Sequence, residues 1–325
     1  MSANAGVVVG VLGVVDPEGP LWGPTDAHEH LMMAGGNIPE HFGEILLDDI
    51  EAADAELDDV VRAGGRVIVE ATPIGLGRRP LALAELARRS GLVIVAATGF
   101  HKEEYYPADH WVRRAGVERL SGYVFADLTT GIDAGDYAAP WPEPTDVHAG
   151  VIKVATQQHA MTALQRQMFE AVAQAHLRTG APITTHCEHG TFGLEQVAYL
   201  QNLGVAPDAV SVGHVDKNPD RSYLRAIAET GAFCVFSNPG RTKYGPDSLW
   251  IDLIADLAAH DLAGQVLVGG DMAPRSMWRA HGGGPGMGWL FDGFLARVRT
   301  DLGAPIADAV AIANPRRALR WRTLR

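Results

Sequence analysis

One alternation runs through most of this chain of 325 residues: a short β-branched run, a loop with Gly or Pro, and then a helical pattern. Each run is almost entirely apolar, which is typical of strands that are buried on both faces of a parallel sheet. The pattern predicts eight strands, at residues 24–30, 66–71, 92–98, 150–155, 182–186, 209–214, 232–237 and 266–271.

The segments between these runs have helical periodicity. In residues 47–63 the apolar side chains of Ala53, Leu57 and Val60 recur at helical spacing, the opposite face is acidic, and two glycines follow as a helix stop. Eight strand-then-helix units predict a single (β/α)8 barrel of the TIM type, with residues 1–325 as one domain. The stretch 6–15 and the turn-rich residues 16–20 predict a short N-terminal β-hairpin. A doubly wound sheet is the alternative, because the order of strands in space is not visible in a sequence.

Composition narrows the class of protein. Hydrophobic residues make up 47% and charged residues 20% of the chain, which is typical of a folded protein with a large core. Lys and Arg number 27 and Asp and Glu number 39, so the net charge of −12 argues against a nucleic-acid partner. The apolar stretch near the start is too short to span a membrane and has no preceding Lys or Arg, as a signal peptide would. We therefore expect a cytoplasmic protein without a membrane partner, and leave the oligomeric state open, with a homodimer as one option.

Polar residues with metal-binding chemistry recur at the ends of the predicted strands. His28 and His30 share one face of the first strand, because side chains alternate along a strand. His186, His214 and Asp271 end three further strands. In a barrel these ends converge at one mouth, so the pattern predicts a divalent metal site with imidazole and carboxylate ligands. Zn²⁺ is the expected ion, with Mn²⁺, Co²⁺ or Fe²⁺ as alternatives.

Lys153 lies in the middle of the fourth apolar run. A lysine is costly to bury as a cation, so two interpretations stay open. One is an ion pair with Asp271 or Glu188. The other is a neutral amine with a functional role, which burial favours by lowering the pKa.

Together these residues resemble the phosphotriesterase-like branch of the amidohydrolase superfamily. The resemblance covers nearly the whole chain. Its most specific motifs are Ile152-Lys153-Val154-Ala155-Thr156, Thr185-His186, Gly213-His214-Val215-Asp216 and Gly270-Asp271.

The resemblance implies a distorted (β/α)8 barrel with two divalent metal ions. His28, His30 and Asp271 would hold the more buried ion, and His186 and His214 the more exposed one. Lys153 would be carboxylated by CO2, and its carbamate would bridge both ions. A metal-bridging hydroxide would attack the substrate, with Asp271 as the catalytic proton carrier, in the hydrolysis of an ester, lactone, amide or phosphotriester.

Cations follow the last three predicted strands and suggest the charge of the substrate. In a barrel the loops after strands seven and eight often bind phosphate, so a small anionic substrate is expected. The residues predicted to bind it are Lys217, Arg241, Lys243 and Arg275.

The loops are similar to those of the subgroup that hydrolyses phosphorylated sugar lactones. The similarity lies in Gly99-Phe100-His101-Lys102, in Tyr105 and Tyr106, either of which would contact the lactone oxygen, and in the glycine-rich residues 282–286. The sequence therefore predicts a lactonase of this kind. The alternatives are a hydrolase of neutral lactones, organophosphate triesters or carboxylic esters, an N-acyl amide hydrolase, and a barrel that binds a ligand without catalysis.

Overall fold

The computed structural model describes residues 6–139 and 141–323. A two-stranded antiparallel hairpin comes first, with strands β1 (Val8–Gly10) and β2 (Gly13–Val15). The predicted hairpin is confirmed, but its turn is at residues 11–12. The turn-rich residues 16–20 follow both strands instead of joining them.

Eight further strands form one parallel sheet in which every strand pairs with its neighbours in the chain. They are β3 (Thr25–Glu29), β4 (Val67–Glu70), β5 (Val93–Gly99), β6 (Val151–Thr156), β7 (Ile183–Cys187), β8 (Val210–Gly213), β9 (Phe233–Phe236) and β10 (Val266–Val268). All eight predicted strands are present, and only β10 is clearly shorter than expected.

The two outer strands of this sheet come together. The backbone N–H of Asp271, just after β10, donates to the carbonyl of His28 on β3 at 2.9 Å. The sheet is therefore a nearly closed barrel, as predicted, and the doubly wound alternative is wrong.

Helices surround the barrel. They are α1 (Ile38–His41), α2 (Ile50–Arg62), α3 (Pro80–Ser90), α4 (Val117–Thr129), α5 (Ala163–Thr179), α6 (Gly193–Asn202), α7 (Arg221–Glu229), α8 (Asp247–Ala259), α9 (Ala296–Leu302), α10 (Ala304–Asp308) and α11 (Asn314–Leu319), with π-helical turns at Leu290–Leu295 and Ala309–Ala313. The α2 helix begins later than predicted because the Asp49 side chain accepts the N–H groups of Glu51 and Ala52 and so caps its start.

Alternate residues of each strand point into the barrel or toward the helices. Val93, Val95 and Val151 belong to the buried cluster inside the barrel, whereas Ile94 and Ile152 pack in the larger layer between strands and helices. Lys153 is two residues beyond Val151 and therefore shares its inward direction. The alternation thus directs a fully buried lysine toward the barrel axis.

Within the described residues, no helix is both long enough and apolar enough to cross a membrane.

Candidate active site

Three predicted metal ligands meet at the carboxyl end of the barrel. The Nε2 atom of His28 lies 3.9 Å from Oδ1 of Asp271, and Nε2 of His30 lies 3.8 Å from the same oxygen. All three residues are buried, and their candidate ligand atoms lie within 4.8 Å of one another. The Nζ atom of Lys153 is 3.0 Å from Nε2 of His28. One ion could therefore contact this group.

Two further histidines complete the set. The ring centroid of His214 is 4.7 Å from that of His28 and 4.4 Å from that of His186, and its Nδ1 atom is 3.8 Å from Oδ2 of Asp271. The structure therefore brings together all six residues that were predicted as metal ligands, although their role as ligands stays a prediction.

The local backbone explains how neighbouring strands deliver these side chains. The pairing of β3 with β4 is irregular between Asp26 and Glu29, next to the histidine pair, where bulges commonly redirect side chains. His214 and Asp271 have φ values of 63° and 45°, in the left-handed region that is unfavourable for residues other than glycine. Such backbone strain is concentrated at functional sites.

One glycine is required beside Lys153. Gly99 pairs with Lys153 across β5 and β6 and has a φ of 96°. A Cβ atom at position 99 would lie 2.0 Å from the Lys153 carbonyl oxygen. Glycine at position 99, the first residue of the motif Gly99-Phe100-His101-Lys102, is therefore required on steric grounds, in addition to the motif's resemblance to the lactonase subgroup.

Hydrogen bonds determine which nitrogen of His30 faces the site. The Thr72 hydroxyl donates to Oε1 of Glu70 at 2.6 Å and lies 2.8 Å from Nδ1 of His30. Since the single hydroxyl proton goes to Glu70, the Thr72 oxygen accepts from Nδ1–H. The Nε2 lone pair of His30 is then free to face Asp271. Such outer partners commonly orient ligands in metal sites.

Burial sets the protonation states of these groups. It lowers the pKa of His30 to about 3 and that of His186 to about 4, so both rings are neutral at pH 7. Burial lowers the pKa of Lys153 to about 7, with the negative charge of Asp271 opposing the shift. Burial alone would raise the pKa of Asp271, but Arg241 and Lys217 hold it below its usual range.

This donor set fits divalent metal ions. Neutral imidazoles and an ionised carboxylate are the forms that bind metal, and they need no proton loss at neutral pH. Burial also lowers the pKa of His28 and that of His214 well below the usual value, so these two rings are neutral as well. A neutral amine at Lys153 is also the form that can react with CO2.

A cavity of about 190 Å³ opens over this group. Its lining combines apolar residues, among them Met33, Ile45 and Leu76, with charged and polar ones. The remaining lining residues are His30, His101, Lys102, Tyr105, His186, Glu188, His214, Lys217, Arg241, Tyr244, Asp271, Ala273 and Pro274. This volume suits a small molecule.

Three of the predicted substrate-binding residues line the cavity. Lys217 places Nζ 3.9 Å from Oδ2 of Asp271. Arg241 donates to the carbonyl of Asp271 at 2.7 Å and also to its carboxylate. Tyr105 is half-buried and packs its ring against His101 at a centroid distance of 4.4 Å.

The other three do not line it. Tyr106 is buried, and its hydroxyl donates to the Ile74 carbonyl at 3.0 Å and accepts the His101 N–H at 2.9 Å, so its predicted substrate contact is not supported. Lys243 is exposed, with Nζ 4.9 Å from the centroid of the Tyr244 ring. Arg275 is half-buried on the loop after β10.

Sequence reasoning assigned no site role to Lys102 or Glu188, which both line the cavity. Lys102 is buried and pairs with Glu188, whose Oε2 also lies 2.9 Å from Nε2 of His186. Glu188 directly follows β7, and Lys102 lies three residues after β5. This closeness to a strand end is the sequence signal that could have identified both as site residues.

Comparison with known proteins gives one consistent result. Residues 7–319 match the Phosphotriesterase family. Two proteins named phospho-furanose lactonase are similar to the chain. The one from Mycoplasmopsis agalactiae is 32% identical over 96% of this chain and 90% of its own, and the one from Mycoplasmopsis synoviae is 30% identical over 92% and 88%.

A solved structure of a lactonase also resembles this chain. The crystal structure of a lactonase from Listeria monocytogenes superimposes with a TM-score of 0.90 and 28% identity, covering 98% of this chain and all of that one. The chain is an enzyme of the hydrolase class, and it belongs to the phosphotriesterase family.

Proposed function

We propose that this protein is a metal-dependent lactonase that opens a phosphorylated sugar lactone. The observation that carries the proposal is the juxtaposition of two groups in one small cavity. One group is the set of predicted metal ligands, of which His30, His186, His214 and Asp271 line the cavity while His28 and Lys153 lie in contact with them. The other is a pair of lining cations, Lys217 and Arg241. The names of the two phospho-furanose lactonases support the same substrate class.

Two divalent ions would be held by the six buried residues. His28, His30 and Asp271 would hold one ion, His186 and His214 the other, and a carbamate on Lys153 would bridge them. When bound, the ions supply an activated water at neutral pH and polarise the carbonyl oxygen of the lactone. Zn²⁺ is the ion we expect for this donor set.

Asp271 is the residue that would move a proton. Its carboxylate is ionised at neutral pH, because nearby cations outweigh the effect of burial on its pKa. Its Oδ2 atom faces His214, Lys217 and Arg241. It can therefore accept a proton from the attacking water and pass it to the ring oxygen as the lactone opens.

The cavity wall would bind and orient the substrate. Met33, Ile45 and Leu76 can contact the carbon skeleton of a sugar ring, and Lys217 and Arg241 can bind an anionic group. Lys102 is less suited to this role because two carboxylates, Glu104 and Glu188, already neutralise it.

A paired substrate assay tests the proposal. The purified protein, loaded with Zn²⁺ in bicarbonate, is assayed on furanose lactones with and without a phosphate group, and its metal content is measured. We expect about two ions per chain and a much higher kcat/KM on the phosphorylated member of each pair. Equal kcat/KM on both members would favour a neutral lactone or ester as substrate. Hydrolysis that is indifferent to chelation would overturn metal dependence.

A further inference from the structure

A short chain of charged groups connects one predicted metal ligand to the loop after β5. The Nε2 atom of His186 lies 2.9 Å from Oε2 of Glu188, and the same oxygen accepts a hydrogen bond from Nζ of Lys102. Lys102 is only 4% exposed, and its Nζ also lies 2.5 Å from Oε1 of Glu104. The cation is thus enclosed by two carboxylates.

A sharp backbone turn directly follows Glu188. Glu188 follows the last residue of β7, and the next two residues, His189 and Gly190, have φ values of 51° and 70°. For His189 this left-handed conformation is unfavourable, so the turn has a local cost in backbone free energy. Glu188 is two residues beyond His186 at the end of β7, so the two side chains point to the same face and meet there.

The hydrogen bond specifies the tautomer of His186. An ionised carboxylate only accepts hydrogen bonds, so Nε2 must carry the proton that it shares with Glu188. In a neutral ring the lone pair is then on Nδ1. That nitrogen alone is left to bind an ion, in contrast to His30, whose Nδ1 is engaged by Thr72.

We propose that Glu188 is a positioning residue that holds His186 in the Nε2–H tautomer, and that Lys102 fixes the Glu188 carboxylate in place. The inference rests on the proposed binuclear function. Glu188 would favour binding of the ion held by His186 and His214, the more exposed of the two. Through Lys102, the loop that carries Tyr105 would be tied to the occupancy of this ion.

Metal binding to variants tests this role directly. Without Glu188 the ring can rotate or change tautomer, and loss of an outer partner typically weakens metal binding about 10- to 100-fold. We expect Glu188→Ala to lose affinity in this range for one of two Zn²⁺ ions, measured by competition with a chelator and by metal content. Glu188→Gln should retain most of the affinity, because its amide oxygen can still accept the Nε2 proton.

Glu104→Ala is the matched control. It removes the other carboxylate on Lys102 but does not touch His186, so both Zn²⁺ affinities should match the wild type. Equal affinities in the wild type and Glu188→Ala would overturn the inference and leave the proposed function intact. Fewer than two ions in the wild type would overturn both.

The tautomer can also be measured without any substitution. In the zinc-loaded wild-type protein with ¹⁵N-labelled histidine, the His186 ring should show a protonated Nε2 and an unprotonated Nδ1. A proton on Nδ1 would overturn the inference even if Glu188→Ala binds metal poorly.

Discussion

The side chains that come from barrel strands and those that come from the loops are held very differently. His28 and Lys153 lie on strands and are fully buried, and Nε2 of His28 is 3.0 Å from Nζ of Lys153. Lys243 and Arg275 lie on loops at the same end of the barrel, and they are exposed and half-buried. His28 and Lys153 lie within their strands, whereas Lys243 and Arg275 each lie about seven residues beyond the end of one, β9 and β10 respectively.

We infer from this difference that metal binding and substrate preference depend on different sets of residues. A strand fixes the direction of a side chain through its alternation and its paired neighbours, so the strand-borne group has one arrangement. A loop fixes neither. Metal binding would therefore depend on residues within the strands or one to three residues beyond their ends, with Glu188 as an outer partner, while substrate preference would depend on loop cations that line the cavity, chiefly Lys217 and Arg241. The following substitutions test this division.

Lys153→Ala should have the largest effect. It removes the amine that lies 3.0 Å from Nε2 of His28 and, with it, the proposed bridge between the ions. We expect loss of bound metal and of turnover on every substrate. Added bicarbonate with a short carboxylic acid should restore part of both, because a free carboxylate can occupy the space of the carbamate. Metal content and kcat are the measurements. Full activity in Lys153→Ala would rule out the bridging role.

Asp271→Asn should have the second-largest effect. The amide has the same shape, so the fold should survive, but it cannot carry the proton. We expect kcat to fall by at least about 10²-fold on phosphorylated and unphosphorylated substrates alike, as is typical for the loss of a general base. Circular dichroism and metal analysis serve as controls. Near-normal kcat in a variant that still holds two ions would show that another group moves the proton.

The proposed metal ligands, which lie on strands or within three residues of a strand end, could be predicted from the sequence for a physical reason. Apolar runs locate strands, period-two alternation places His28 and His30 on one face, and barrel topology brings strand ends together. The prediction therefore covered the eight strands and the six residues that meet at the mouth.

The loop-borne half could not be predicted in the same way. Spacing from a strand end did not show that Tyr106 bonds its hydroxyl to the backbone of Ile74, nor that Lys243 lies over Tyr244 at the surface. It also did not show the contact between Glu188 and His186, which lies next to a turn with a left-handed residue. Such contacts depend on loop conformations, which have no periodic signal in the sequence.

Lys217→Met should affect only phosphorylated substrates. A hydrogen bond to a charged group is worth about 1.5–3 kcal/mol, so kcat/KM should fall about 10- to 100-fold. Hydrolysis of the matched unphosphorylated lactone should be unchanged.

Because Lys217 also lowers the pKa of Asp271, its removal raises that pKa and shifts the acid limb of activity to higher pH. Assays at about pH 8, well above the usual carboxyl range, remove this complication. Equal losses on both substrates would mean that Lys217 supports the metal site instead.

Arg275→Met and Lys243→Met should have the smallest effects. Neither side chain lines the cavity, and Arg275 lies near Glu44, whose pKa is held down by hydrogen bonds from Ser276 and also by the Arg275 charge. Substitutions at such positions usually change free energies by less than about 0.5 kcal/mol, so kcat/KM should stay within about twofold of the wild type. The measurement is the same pair of lactones, beside Lys217→Met. A selective loss as large as that of Lys217→Met would show that the loop after β10 closes over the substrate. The division between strand and loop would then hold for the metals only, and the sequence prediction of Arg275 as a phosphate ligand would stand.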